Sequence, residues 1–339
     1  MLLSHAVSGV SKASAVEDGS NRVVLLEMLA QLADPRKPQG KRHKLVFTLA
    51  CAVVAVLAGA VNFRQIGSQV ADLPQSSLAG LGARWNWFRR AYTGPSEATL
   101  RRVLQRIDAG ELDRLVGAWL LARARTDAEG GLVIALDGKV LRGAWTDANG
   151  QVTLFSAMIH GAGVTVAQVR VPDGTNEITQ VKTLLQGIAE KKEEQPPVVV
   201  TLDAAHTQRD TAEHLAGERG FDYVMTVKGN QPVLQKEVWT RCLPLLNATP
   251  PHVVTERGHG RINRWSTWTT TAAGIDFPYA AQVACIRRDV FDLDGVAISK
   301  ELALAITSSP AERAGPAELH THVRQHWGIE VRHEVALCE

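Results

Sequence analysis

Two carboxylates set in matching surroundings carry the chemistry this sequence offers. Asp137 closes Gly131-Leu-Val-Ile-Ala-Leu-Asp137-Gly-Lys139, and Asp203 closes Val198-Val-Val-Thr-Leu-Asp203 ahead of Ala204-Ala-His206. Apolar runs of this length and branching are the material of buried strands. Each strand is expected to end on its acid, where side chains leave the sheet. Two strands that each deliver an Asp can set two carboxylates side by side, and such a pair repels itself unless a cation lies between them. Hard divalent cations take oxygen ligands, so the pair suits divalent metal. Each acid alone also has an ordinary reading: Asp137-Gly138 is a good hairpin turn, and many strands end in Asp.

The elements that must position these acids follow from periodicity. Ahead of Gly131 the pattern is helical: Val23 to Leu32, Lys44 to Gly59, Phe63 to Leu73, a helix capped by Ser96, and Leu112 to Arg125. These give a small all-α domain over residues 23–128, behind a loose Ser-, Ala- and Gly-rich tail at 1–22. In the Ser96-capped helix, Leu100, Val103, Leu104 and Ile107 form the inner face. Arg101, Arg102 and Arg106 lie to the other side, where they suit either DNA or plain solvent. Trp85, Trp87, Arg89 and Arg90 interleave aromatic rings with guanidinium groups just before it.

After residue 128 strands and helices alternate. Val152 to His160 and Val164 to Val171 follow the Asp137 strand with short turns, which reads as an antiparallel meander. A helix from Asn176 to Glu190, a polar linker from Lys191 to Pro197, the Asp203 strand, a helix from Gln208 to Arg219, a strand from Phe221 to Val227 and a helix to Cys242 come next. Three antiparallel strands followed by alternating helices and strands match a ribonuclease-H-like sheet. Residues from about 250 to 310 return to β pattern at Arg264 to Thr271, Ala280 to Asp289 and Leu302 to Ser308. The last stretch, from Ala311, is helical.

The bulk numbers describe a globular chain of 339 residues with 45% hydrophobic and 21% charged side chains. The four cysteines, Cys51, Cys242, Cys285 and Cys338, show no CxxC, which favours a reducing compartment and argues against structural zinc. The net charge of +2 hides a division: residues 1–130 hold 17 Lys and Arg against 11 Asp and Glu, and the remainder 20 against 24. A basic front and an acidic back suit a polyanion-binding part joined to a metal-binding one. Leu45 to Val61 is uncharged, but its Ala content and lack of partner spans point to a buried helix rather than a membrane span. No signal peptide is evident, so a cytoplasmic protein is expected.

Five stretches now stand in one order: Pro95-Ser-Glu-Ala-Thr-Leu-Arg101, Ala135-Leu-Asp137-Gly-Lys139, Asp203-Ala-Ala-His-Thr-Gln208, Lys228-Gly-Asn-Gln231 and Arg324-Gln-His-Trp-Gly-Ile-Glu330. Together they resemble the DDE-type transposases of bacterial insertion sequences, in the subgroup of the H-repeat-associated proteins. The resemblance implies a ribonuclease-H-like catalytic core over 129–339, interrupted by the β-rich insertion, behind the helical domain. It makes Asp137, Asp203 and Glu330 the catalytic acids and the ligands of two Mg²⁺ ions, for which Mn²⁺ can substitute. It also implies binding to double-stranded DNA at terminal inverted repeats and at a target, strand cleavage and strand transfer, and a homodimer in the DNA complex. Lys228 and Asn230, following a strand end, and Arg324, ahead of Glu330, are further candidates for gripping DNA beside Arg101 and Arg102.

Two features depart from that family. Asn263 stands where an acid is common, and Val331 to Glu339 does not resemble the family's continuation of the last helix. The helix is therefore expected to fray beyond Glu330, with Glu334 one turn later as a substitute ligand. A catalytically impaired DNA-binding remnant and a hydrolytic ribonuclease-H-type nuclease are the alternative readings.

Overall fold

The computed structural model describes residues 19–38, 41–127, 131–145, 151–188 and 197–335, with the backbone alone at 19–20, 126–127, 142–145 and 327–335. Most of the tail expected at 1–22 and most of the Lys191 to Pro197 linker lie outside these residues.

Six helices come first: α1 (Gly19–Leu29), α2 (Leu45–Leu57), α3 (Phe63–Ala71), α4 (Gln75–Gly80), α5 (Glu97–Leu104) and α6 (Ala109–Asp127). Helix α1 starts inside the expected tail, and Trp119 of α6 donates its indole N–H to the Asn21 carbonyl at 3.2 Å, holding that start in place. Helix α2 explains the long uncharged run, because eleven of its residues are buried among the other helices. Among the described residues no helix is long and apolar enough to cross a membrane. The segment is not wholly helical, however. Trp85–Asn86 and Ala91–Tyr92 form a small antiparallel hairpin, too short to leave an alternating pattern in the sequence.

Nine strands then build one sheet: β1 (Leu132–Trp145), β2 (Gln151–Ile159), β3 (Val164–Val171), β4 (Val198–Leu202), β5 (Asp222–Val227), β6 (His252–Gly258), β7 (Arg261–Thr271), β8 (Gln282–Phe291) and β9 (Ala297–Thr307). Their order across the sheet is β3-β2-β1-β4-β5-β9-β8-β7-β6. The neighbours β1, β4 and β5 are parallel, and every other pairing is antiparallel. The β-rich insertion thus extends the main sheet rather than forming a separate layer. Leu304 to Thr307 of β9 pair with Val227 to Val224 of β5 and cover an edge that would otherwise stand open.

The helix expected from Asn176 is broken into a 3₁₀ turn (Glu177–Gln180) and α7 (Val181–Leu185). Helix α8 (Arg209–Ala212) runs into a π-helical turn (Glu213–Glu218), and α9 (Pro232–Cys242) follows β5. The last helix, α10 (Pro316–Val335), is continuous past Glu330, where fraying is expected from sequence.

Alternation along the central strands sorts their side chains to two faces. Leu132, Ile134, Leu136, Val198, Val200 and Leu202 join the large core shared with the helices. Val199 and Val224 look the other way, onto Leu319 and Val323 of α10. Helix α6 packs on the β3 side, where Gly117 lets the backbones meet: a Cβ there would lie 2.0 Å from the Val166 carbonyl oxygen.

Candidate active site

Asp137 does not end its strand. Strand β1 continues to Trp145 because β2 keeps pairing with it, Asp137 opposite Ser156 and Lys139 opposite Leu154. What ends near Asp137 is the other neighbour. The parallel ladder between β1 and β4 runs from Leu132–Val198 to Ala135–Thr201, and β4 stops at Leu202. Two residues beyond the last pair stand Asp137, still within β1, and Asp203, the first residue after β4; continued, the register would set them level at the usual strand spacing of about 4.8 Å. Both share the face of Ala135 and Thr201, the face that α10 covers. Both are half-buried.

Asp203 is fixed by its own loop. Its Oδ1 accepts the backbone N–H groups of Ala205 at 3.0 Å and His206 at 3.2 Å, which orients the carboxylate. The loop is tied in turn to the end of β5. Thr207 donates its hydroxyl to the Thr226 carbonyl at 2.6 Å, Asn230 donates its amide to the Ala204 carbonyl at 2.6 Å, and Gln231 donates to the Thr207 carbonyl at 3.0 Å. The Asn230 and Gln231 amides of the Lys228-Gly-Asn-Gln stretch are thus engaged in holding the Asp203 loop, and Lys228 is exposed beside them.

Helix α10 is registered on the same face by a buried polar contact. The Thr201 hydroxyl lies 2.9 Å from Nδ1 of His326 and 2.9 Å from Nε2 of His160. With one proton, that hydroxyl donates to one ring and accepts from the other. Burial lowers His326 to about 4 and His160 to about 3, so both rings are neutral at physiological pH. Along α10, Val323 packs in the same cluster as Val199, and His326 meets Thr201. Glu330 follows His326 by four residues, about one helical turn, on α10. The Glu330 side chain lies outside the described residues.

The opposite face under Asp137 carries groups that the sequence reading did not single out. Glu177 packs its carboxylate over Gly138, where a Cβ would come within 1.8 Å of its Cδ. The same carboxylate stands 3.7 Å from Nε2 of His206, whose ring stacks on Phe155 at 4.9 Å and 18°. Nothing in the local sequence around Glu177 signals this closeness. Thr201 did leave a signal, as a polar residue in an apolar run with the same strand parity as Asp203.

The remaining candidates have partners within the chain. Arg324 forms a two-pronged ion pair with Glu256 of β6 and lies 5.3 Å over the Trp265 ring. Arg101 pairs with Glu97 at 2.5 Å and sits 5.1 Å over Phe63. Arg102 lines a cleft with Arg36, Lys37, Arg42, Arg89 and Arg106. Ser96 holds the N-cap position of α5 but its hydroxyl lies 3.0 Å from that of Thr99 rather than on a backbone N–H.

Among the described residues no group of three or more His, Cys, Asp or Glu side chains is placed to hold a metal ion. The Asp137–Asp203 pair still fits a hard divalent ion, since it offers carboxylate oxygen from two neighbouring strands with one Asp203 oxygen already oriented.

Comparison with known proteins places the chain. The family described as "Transposase DDE domain" matches residues 129–335, and "DDE_Tnp_1-associated" matches 26–120. The chain belongs to the DDE transposase family. It is 30% identical over 210 residues to "Putative transposase YncI" of Escherichia coli K12, covering 61% of this chain and 78% of that protein. It is 27% identical over 243 residues to "H repeat-associated putative transposase YhhI" of the same strain, covering 70% and 60%. Against the YncI protein of E. coli O157:H7 the match spans 50% of that protein's length. A piggyBac transposase synaptic complex with hairpin DNA covers 93% of this chain and 64% of its own, at 11% identity and a TM-score of 0.33, too low to carry an argument.

Proposed function

We propose that this chain cuts and joins DNA at the terminal inverted repeats of its own insertion sequence, using Asp137, Asp203 and Glu330 to hold two Mg²⁺ ions. The observation that carries the reading is the β1–β4 register, whose last pair, Ala135–Thr201, stands two residues ahead of both Asp137 and Asp203. The β3-β2-β1-β4-β5 order, with β1, β4 and β5 parallel, supports a ribonuclease-H-like core.

Held by Asp137, Asp203 and Glu330, Mg²⁺ would supply Lewis-acid activation of an attacking water or 3′ hydroxyl and stabilisation of the leaving oxygen. The chain's own residues do the positioning. The Ala205 and His206 N–H groups hold one oxygen of Asp203 and leave the other for a ligand. Thr201 anchors α10 through His326, one turn before Glu330. Lys228 and the cleft around Arg102 are assigned to the phosphates, with two copies of the chain on paired ends. Arg324 and Asn230 act within the fold, holding α10 and the Asp203 loop.

The test is incubation of labelled terminal-repeat DNA with the protein in Mg²⁺ or Mn²⁺. Nicking at the repeat end followed by joining is expected, and Asp137→Ala or Asp203→Ala reduces both to the level seen in chelator. Cleavage without joining and without preference for repeat ends would replace the reading with a hydrolytic nuclease. Activity undiminished in both variants would end it.

A further inference from the structure

We propose that the hairpin tip Trp87-Phe88, at the edge of the basic cleft, stacks on unpaired bases of the nucleic acid whose phosphates the cleft holds. The inference rests on the DNA-binding reading above, and it adds a base-contacting element with a preference for open or distorted sites.

The hairpin is braced to hold its tip outward. The side-chain oxygen of Asn86 accepts the backbone N–H groups of Phe88 and Arg89, both at 3.1 Å. Gln75 of α4 grips the returning strand twice, donating to the Tyr92 carbonyl at 3.2 Å and accepting the Tyr92 N–H at 2.7 Å. Trp85 meets Tyr92 edge-on at 5.0 Å, and Trp87 meets Trp85 edge-on at 6.4 Å. Arg90 closes the turn at φ 49°, a left-handed conformation that non-glycine residues adopt at a cost. Such strain concentrates where surrounding structure enforces a turn for use.

On this frame Trp87 is 83% exposed and Phe88 fully so. A single exposed apolar side chain is ordinary, but two consecutive aromatic rings on a braced turn mark a contact site. Charge decides what covers them. Asn86 and Arg89 of the hairpin also line the cleft formed with Arg36, Lys37, Arg42, Arg102 and Arg106. Asp34 pairs with Arg36 and Lys41, and Glu97 with Arg101, so the positive charge of the cleft is carried by Lys37, Arg42, Arg89, Arg102 and Arg106. A polyanion with flat faces satisfies both features, and single-stranded nucleic acid is bound by this combination of cationic groove and aromatic platform.

The test uses the full chain and fluorescein-labelled DNA of one sequence in three forms: blunt duplex, duplex with a central unpaired bubble, and single strand. Trp87→Ala/Phe88→Ala is expected to weaken binding to the bubble and the single strand by about tenfold or more, as loss of base stacking does. Duplex affinity should stay within about twofold, with the same salt dependence. Trp87→Tyr/Phe88→Tyr should restore binding to the open forms. Arg102→Ala/Arg106→Ala should weaken all three forms and flatten the salt dependence. Equal loss on all forms, or none, overturns the stacking proposal while leaving the cleft reading in place. A change in sedimentation with unchanged DNA binding assigns the tip to protein contact and also overturns it. If the unaltered chain binds none of the three forms, the DNA-binding reading fails and takes this one with it.

Discussion

The nine-stranded sheet changes character at the β5–β9 junction, and the strands flanking that junction are built to different standards. In β4 and β5 every residue is buried, between the large core on one face and α10 on the other. In β9 the first six residues are exposed, and only the end that pairs with β5 is buried. The exposed half of β9 pairs with β8 alone and is rich in Ala, Ser, Lys and Glu, which are weak strand formers. Pairing, propensity and packing all change together across the junction. A carboxylate at the end of β4 inherits a backbone that cannot shift without opening the core, whereas charges on the outer strands sit on a surface that yields. Metal-site geometry tolerates about 0.5 Å of looseness, which only the first flank supplies.

The sharpest way to break this comparison is Thr201→Val. The substitution keeps shape but strips the hydroxyl from between two buried imidazoles, leaving a nitrogen on each without that partner. An unsatisfied buried polar group costs about 1–3 kcal/mol, so a loss of about 2–4 kcal/mol is expected in urea unfolding, with Thr201→Ser recovering most of it. A loss no larger than that of an exposed threonine would remove the distinction between the flanks.

A smaller effect is expected at Asp113 of α6, the helix that packs on β3. Burial pushes its carboxyl up to about 6, against the hydrogen bond that it accepts from the Gln168 N–H. A carboxyl raised on folding favours the folded state while protonated. That advantage fades as pH rises from the ordinary carboxylate value of about 4 through about 6. Asp113→Asn keeps the acceptor and loses the charge. It should stabilise the protein by about 1–2 kcal/mol at pH 7.5, less than the full shift implies because the side chain is partly hydrated, and by little at pH 4. Equal effects at both pH values would contradict the assignment.

The smallest effect belongs to the outer flank. The Arg324–Glu256 pair is 35% and 45% exposed on its two sides, and exposed pairs contribute at most about 1 kcal/mol. Arg324→Ala should change stability by less than that and leave the salt dependence of DNA binding as it was. A flattened salt dependence would return Arg324 to the phosphate contacts.

Much of the buried flank was legible in the sequence because burial on both faces writes long apolar runs. Leu132–Leu136 and Val198–Leu202 announce two strands and the acids beside them. The extension of β1 past Asp137 was not legible, since it depends on β2 continuing to pair there while β4 stops. Strand β6 was missed because it is a largely exposed edge with no apolar run. The hairpin at Trp85 was hidden for another reason: its turn is made by the Asn86 side chain rather than by glycine or proline. The links between His326 and Thr201 and between Glu177 and Gly138 join residues far apart in the chain, and only the fold brings them together.

The central claim is that Asp137 and Asp203 stand level and share a divalent cation. Thermal melting of the intact chain, Asp137→Asn and Asp203→Asn, each with and without Mn²⁺, tests it most directly. Without metal, each chain's own melting temperature is the baseline for its shift. With Mn²⁺, the unaltered chain should shift upward as a ligand that binds the folded state requires, and neither variant should. If both variants keep the full Mn²⁺ shift, the two carboxylates do not form the metal site.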